Sequence, residues 1–308
     1  MLGSLLSTSD IEVTIAPYVS STGDWDRAVR KVHKSVKRLE CNGSQRSVSD
    51  NYEAKWSGVD PAERYAAGGS VAPFQWGQRP ILMRSLAVKR VYLLYLYRLI
   101  EQLQPRSVLE VGCGTGINLV LLANRFPDIR FHGLELTRSG VEQCQRLIAK
   151  QFPAQLLEFS PEPLTDMTAH HNISILQGTA ADLPYSPDSF DLVVTVLALE
   201  QMEQIRARAL CEIGRVAPRA VLIEPFRDWN RDGLRRRYTK ANGYFGATVG
   251  NLPSYGLKAT LTAADHPMKV HLGVGVVVAE RAEPRSQPLY WPRQLLRLIG
   301  SRIQRSGH

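Results

Sequence analysis

Val108-Leu-Glu-Val-Gly-Cys-Gly-Thr-Gly116 decides how this 308-residue chain is read. The apolar run Ser107 to Val111 is a short strand, and from about Ile117 to Arg125 the apolar residues recur at helical spacing. Between them lies the glycine-rich turn. Gly112, Gly114 and Gly116 let the backbone turn sharply and approach a ligand where a Cβ would clash. The helix that follows offers its first amides to that ligand.

Two common phosphate binders are excluded. A dinucleotide fingerprint needs a third glycine where Ile117 stands, and a P-loop needs Gly-Lys-Ser/Thr, which is absent. What remains is E-x-G-x-G-x-G, with Glu110 near the end of the strand. An acid there repels pyrophosphate but pairs with the amino group of a bound amino acid. The combination favours a sulfonium amino-acid nucleoside over NAD.

Outward from the loop, strands and helices alternate. Strands are expected at Arg130 to Leu136, Ile173 to Gln177, Phe190 to Leu197, Ala220 to Glu224, Leu257 to Thr262 and Val270 to Ala279, with helices at Ser139 to Gln151 and Gln201 to Arg215. Such alternation implies a parallel sheet covered on both faces, and the almost wholly apolar run Phe190 to Leu197 suits a strand buried on both sides. Before the loop, a helix is expected around Trp25 to Leu39 and a turn-rich stretch at Cys41 to Asp50. Tyr52 to Arg79 reads as irregular structure with a short helix, and a long helix is expected from Pro80 to about Leu103, closed by Pro105.

The glycine motif resembles that of the class I S-adenosylmethionine-dependent methyltransferases, specifically the small-molecule enzymes, over roughly residues 107–280. The resemblance implies an acid closing the second strand that takes the ribose hydroxyls; Glu135 in His132-Gly-Leu-Glu-Leu136 stands there. It implies an Asp after the third strand that recognises the adenine amino group, matched by Asp182 in Gly178-Thr-Ala-Ala-Asp-Leu-Pro184, with Leu183 as a backbone donor to the ring. The family phrase Leu-Pro, turn, Phe-Asp, apolar strand follows as Leu183-Pro184, Ser189 and Phe190-Asp191-Leu192-Val193-Val194. The expected fold class is therefore α/β, a doubly wound, mostly parallel, seven-stranded Rossmann-like sheet. Residues 1–104 form an N-terminal helical and irregular extension that serves as a candidate substrate lid. Residues 105–280 form the S-adenosylmethionine-binding domain, with 226–256 a substrate-side insertion, and 281–308 a basic amphipathic tail. The implied cofactor is S-adenosylmethionine, cradled by Glu110, Gly112, Gly114 and Gly116.

The sequence departs from the family in two places. Many relatives carry a His after the fourth strand, where this chain reads Leu199-Glu200-Gln201, and the Pro-Gly-Gly turn before the fifth strand is replaced by Ala217-Pro218-Arg219-Ala220. The first departure removes an obvious base. A weakly acidic acceptor needs one, and Glu200, His266 and Asp265 are candidates by position, weighed against plain surface or capping roles. For the acceptor itself Tyr52, Trp56, Trp76, Arg79 and Trp229 are the candidate contacts, the alternative being that these side chains only pack the N-terminal helices on the sheet. The His170-His171 pair is expected to be solvated, and no metal site is expected.

Thr195-Val-Leu-Ala198 replaces the Asn/Asp-Pro-Pro-aromatic run of base N-methylation, and no Pro-Cys pair supplies a nucleophile for pyrimidine chemistry. The partner expected is thus a small-molecule methyl acceptor (a saccharide, a lipid-linked molecule or a secondary metabolite) rather than nucleic acid. RNA or protein methylation, and a non-catalytic binding protein on the same fold, are the alternatives. The composition, 44% hydrophobic and 22% charged, is that of a globular protein. The scattered Cys41, Cys113, Cys144 and Cys211 and the absence of a leader-like start predict reduced thiols and a cytoplasmic location. The net charge of +9 is uneven: Arg227 to Lys240 holds six Arg/Lys against two Asp, and Arg281 to His308 six Arg against one Glu. Written as a helix from Pro292, the tail sets Leu295, Leu296, Leu298, Ile299 and Ile303 largely to one side. That pattern fits contact with the inner face of a membrane, or docking on protein.

Overall fold

The computed structural model describes residues 5–39, 45–57 and 60–282. The chain opens with α1 (Thr8–Ile15), α2 (Trp25–Lys37), α3 (Gln45–Trp56) and α4 (Pro61–Ala66), then β1 (Val71–Trp76), β2 (Arg79–Arg84) and α5 (Ala87–Leu103). It continues through β3 (Ser107–Val111), α6 (Ile117–Arg125), β4 (Arg130–Glu135), α7 (Arg138–Ala149), α8 (Gln155–Phe159), β5 (Ser174–Gln177) and β6 (Leu192–Val196). The last elements are α9 (Arg206–Val216), β7 (Arg219–Glu224), α10 (Gly233–Ala241), β8 (Leu257–Ala263), β9 (Met268–Lys269) and β10 (Gly275–Arg281).

Seven strands form one sheet in the order β5-β4-β3-β6-β7-β10-β8. The first five in that order run parallel, and β10 pairs antiparallel with both β7 and β8. Alternate residues feed two cores, as a pleated strand requires. Val108, Val194, Val221 and Val276 join α1, α5 and α6 on one face. Leu109, Val193, Leu222 and Val277 join α9 on the other. Every residue of β3 and β6 is buried, which explains their near-continuous apolar sequence. The parallel strands all end on one edge, and the loops there build the site.

Several expectations are corrected before the glycine loop. The helix predicted from Pro80 begins only at Ala87, and Arg79–Arg84 pairs with Val71–Trp76 as a hairpin. The signal was present: Trp76-Gly-Gln-Arg79 is a two-residue turn, and Gly77 adopts φ +56, which glycine reaches without strain. The hairpin is joined by β9, which ends just before the run expected as one strand from Val270 to Ala279; of that run only Gly275 onward is strand, in β10. The turn-rich stretch gives way to helix α3. Its Tyr52 and Trp56 meet at i and i+4, with ring centroids 5.7 Å apart. α5 packs into the sandwich, with Tyr95, Tyr97, Leu93 and Leu96 fully buried. Leu6, Ile11 and Ile15 of the first helical segment enter the same core. No helix of the described residues is long and apolar enough to cross a membrane. The basic amphipathic tail, from Glu283 onward, lies outside the described residues.

Candidate active site

β3 delivers the glycine loop to the carboxyl edge of the sheet. Gly112, Gly114 and Gly116 have φ of +75, +57 and +79. A Cβ at Gly112 would lie 2.5 Å from the Ala198 Cβ, and one at Gly116 would lie 2.2 Å from the Cys144 Sγ. The loop is thus closed to side chains from both the β6 side and α7. Its amide at Gly114 donates to Glu135 Oε2 (2.9 Å), while Glu135 Oε1 accepts from the N–H and hydroxyl of Thr137 (3.0 and 2.6 Å). Glu135 therefore fixes the loop against the end of β4, with Oε2 keeping a lone pair for an incoming hydroxyl.

A cavity of about 300 Å³ opens over this loop, lined by residues of β3, β4 and β6 ends together with α3, α5, α10 and β9. Four buried carboxylates stand along the edge, and they divide by what they hold. Glu135 and Glu224 spend their oxygens on the chain. Glu224, at the end of β7, accepts from the amides of Ala198, Leu199 and Glu200 at 3.0, 3.1 and 3.2 Å. That grip holds the strained turn after β6, where Leu197 sits at φ +55, a conformation bulky side chains avoid. Glu110 and Glu200, which both line the cavity, each keep one oxygen without a partner among the described residues. Glu110 Oε1 accepts from Asn118 (2.7 Å), and Glu200 Oε1 accepts from Gln201 (3.3 Å). Burial lifts both carboxyl groups to about 7, against those hydrogen bonds and the attraction of nearby lysines. An unpartnered buried carboxylate oxygen beside a glycine cradle fits the ammonium group of an amino-acid cofactor.

The other half of the cavity is aromatic and basic. Tyr52 and Trp56 of α3 line the cavity together with Tyr238 of α10 and Tyr244, and the Trp56 ring also lies over the glycine loop, where a Cβ on Gly114 would come within 3.3 Å of it. Lys55 Nζ lies 4.3 Å from the Tyr52 ring centroid and 4.8 Å from that of Trp56. Lys89 Nζ lies 3.1 Å from the Tyr65 hydroxyl, and Lys269 comes in from β9. α3 is tied down to α7, where Glu53 accepts from the Ser139 N–H (3.0 Å) and Gln143 donates to the Trp56 carbonyl (3.0 Å).

Not every residue singled out in the sequence reaches the cavity. Asp182 is exposed and off its wall, where Thr179 and Ala180 stand instead. The turn closed by the Asp182 N–H on Thr179 O (3.2 Å) directs it outward. The Leu183 N–H is taken by Glu212 of α9 at 2.8 Å, so it is not a free donor. His266 is buried between Tyr92 and Tyr95, 5.6 Å from each ring, and does not line the cavity; burial drops it to about 4. Asp265 accepts from the Trp76 indole N–H (2.7 Å), which fastens the hairpin to the segment before β9. Arg79 pairs with Glu12 at the surface (2.6 Å). Trp229 fills the space left by Gly273 and Gly275, where a Cβ on Gly275 would lie 2.3 Å from its ring. His170, expected to be solvated, is fully buried, its ring bonded to Asn124 (3.1 Å) and to the Lys150 carbonyl (3.0 Å). Of the expected residues, Glu110, Gly112, Gly114, Glu135, Glu200, Tyr52 and Trp56 come together at the cavity, while Gly116 packs behind it against Cys144. Lys55, Lys89, Lys269, Glu224 and Tyr244 were not anticipated, and no local pattern in the sequence marks them.

Residues 109–222 match the sequence family described as a methyltransferase domain. The likeness to methyltransferases lies in this segment. Its relatives include ajmaline N-methyltransferase of Rauvolfia serpentina, 30% identical over 39% of this chain and 35% of that protein. A fatty-acid O-methyltransferase of Mycolicibacterium smegmatis is 31% identical over 30% of this chain and 27% of that protein. The matched segment thus spans about a third of these relatives' own length. The magnesium protoporphyrin IX methyltransferase of Synechocystis PCC 6803, solved with SAH bound, shares the fold. It is 13% identical, with a TM-score of 0.52 over 77% of this chain and 99% of that one. The cofactor of the methyltransferase domain is S-adenosylmethionine, and the open Glu110 oxygen and closed glycine cradle are the features that fit it here.

Proposed function

We propose that the whole protein is an S-adenosylmethionine-dependent methyltransferase acting on a small-molecule acceptor, with the cofactor in the glycine-loop half of the cavity and the acceptor in the aromatic half. When bound, the cofactor supplies an electrophilic methyl group on a positively charged sulfur. Glu110 Oε2 takes the ammonium group of its amino-acid portion. Glu135 Oε2 takes a ribose hydroxyl through its remaining lone pair. Tyr52 and Trp56 cover the acceptor from α3 and exclude water, which leaves the chain to align the acceptor and accept its proton.

Glu200 accepts that proton at Oε2. It lines the cavity, that oxygen has no partner, and its affinity for a proton, raised by burial to about 7, matches neutral conditions. The single observation that carries the reading is this pairing of two half-satisfied carboxylates, Glu110 and Glu200, in one cavity over the glycine loop. The named relatives are an ajmaline N-methyltransferase and a fatty-acid O-methyltransferase, which supports a small acceptor and leaves O or N as the atom methylated. The test is incubation of the full chain with cofactor carrying a labelled methyl group and a fractionated small-molecule extract. Label in a low-mass product supports the reading; label only in RNA or protein contradicts it.

A further inference from the structure

The charges around the acceptor half do not balance. Four cations, Lys55, Arg64, Lys89 and Lys269, line the cavity against three carboxylates, Glu110, Glu135 and Glu200. None of Lys55, Lys89 and Lys269 makes an ion pair among the described residues. Glu135 is committed to Gly114 and Thr137, and Glu110 faces the glycine loop beside Asn118. Glu110 is drawn to Lys89 alone and is taken by the cofactor ammonium, so Glu200 is the one carboxylate of the described lining that feels all three lysines. The cofactor, with one ammonium, one carboxylate and one sulfonium, adds a further positive charge, and its carboxylate answers one lysine at most. Grouping like charges in a partly dehydrated cavity is unfavourable unless a counter-charge arrives.

We infer that the acceptor carries an anionic oxygen group, a carboxylate or a phosphate, on an apolar body, and that Lys269 and Lys55 hold that group at the aromatic end of the cavity. The inference rests on the methyltransferase reading, because the cofactor's charges enter the balance. Three elements far apart in sequence place the lysines: Lys55 comes from α3, Lys89 from α5, and Lys269 from the two-residue strand β9. The register that sets Phe74 opposite Lys269 fixes the last of these through the backbone. Tyr52, Trp56, Tyr238 and Tyr244 supply the apolar surface for the body of the acceptor, with hydroxyls for its polar edge. Burial and mutual repulsion depress the Lys269 ammonium, as expected of a cation awaiting an anion.

The experiment uses the full chain and three twelve-carbon probes: laurate, dodecyl phosphate and dodecanol. Each is titrated calorimetrically into protein saturated with S-adenosylhomocysteine. The tighter anion binds at least about tenfold better than dodecanol, and whether that anion is laurate or the phosphate identifies the head group. Lys269→Met and Lys55→Met each remove most of the preference, and Lys269→Arg keeps it. Dodecanol binding as well as both anions, no saturable binding of either anion, or a preference that survives in both Met variants overturns the inference. Binding of S-adenosylhomocysteine is read in a separate titration; its failure in the wild-type protein would instead sink the methyltransferase reading.

Discussion

The two halves of the one cavity are made in different ways. The cofactor half comes from two short stretches, residues 110–118 and 135–137, and its shape is set by backbone: three left-handed glycines and a carboxylate on a main-chain amide. The acceptor half takes Tyr52, Lys55 and Trp56 from α3 and single side chains from α5, α10 and β9, segments up to 217 positions apart between Tyr52 and Lys269. A backbone device needs particular residues at fixed spacing and so leaves a motif. A side-chain cluster assembled by tertiary contact needs no spacing at all. The same contrast separates the carboxylates: Glu135 and Glu224 organise loops, whereas Glu110 and Glu200 keep an oxygen for ligands.

The contrast is broken or sharpened by changing one carboxylate at a time. Glu200→Gln keeps the shape but removes the proton acceptor, and turnover should fall by about a hundred- to ten-thousandfold with little change in cofactor affinity; steady-state kinetics beside calorimetry would show the split. Glu135→Ala strips the glycine loop of its anchor and the ribose of an acceptor. A loss of about 2–3 kcal/mol, roughly thirty- to a hundredfold in cofactor affinity, is expected. A smaller melting shift should accompany it, since Gly114 loses its partner.

Glu110 predicts a pH dependence. Its carboxyl group, lifted to about 7, must ionise to pair with the cofactor ammonium. Affinity should therefore rise with pH through about 7 and level off above it, by about tenfold from one unit below. Glu110→Gln should bind more weakly with a flat profile. In the free protein the sign is opposite: Glu110 and Glu200 hold protons that the unfolded chain has released above the ordinary value of 4.5. Their contribution to stability should therefore fall between pH 4.5 and about 7 and then level, opposed over part of that range by His266, which stays neutral in the fold while the unfolded imidazole is protonated.

The mostly parallel sheet and the glycine loop were legible because parallel strands buried on both faces announce themselves as apolar runs, and because positive φ demands glycine. The hairpin was missed because Leu82 and Leu86 continue the helical spacing of α5 backward across a strand. The Gly77 turn outweighed that spacing. His266 and Trp229 drew attention as functional residue types, yet tertiary packing buries His266 in the core and half-buries Trp229 against it. The N-terminal region is legible only in part as a lid. α3 covers the cavity, but α1 and β1 share the core with the sheet, so removal of residues 1–79 should unfold the protein rather than merely open it. The smallest effect expected is at Asp182. Its side chain points to solvent, and Asp182→Ala should leave cofactor affinity within about twofold; a loss like that of Glu135→Ala would restore it to the site.

The most direct test of the account is a calorimetric titration of the full-length protein and Glu110→Gln with S-adenosylhomocysteine at pH 8. The account predicts saturable one-to-one binding to the wild-type protein, weakened about tenfold or more in the variant by loss of the charged pair. Equal affinity in both would contradict the assignment of the open Glu110 oxygen to the cofactor, and no binding to the wild type would contradict the account as a whole.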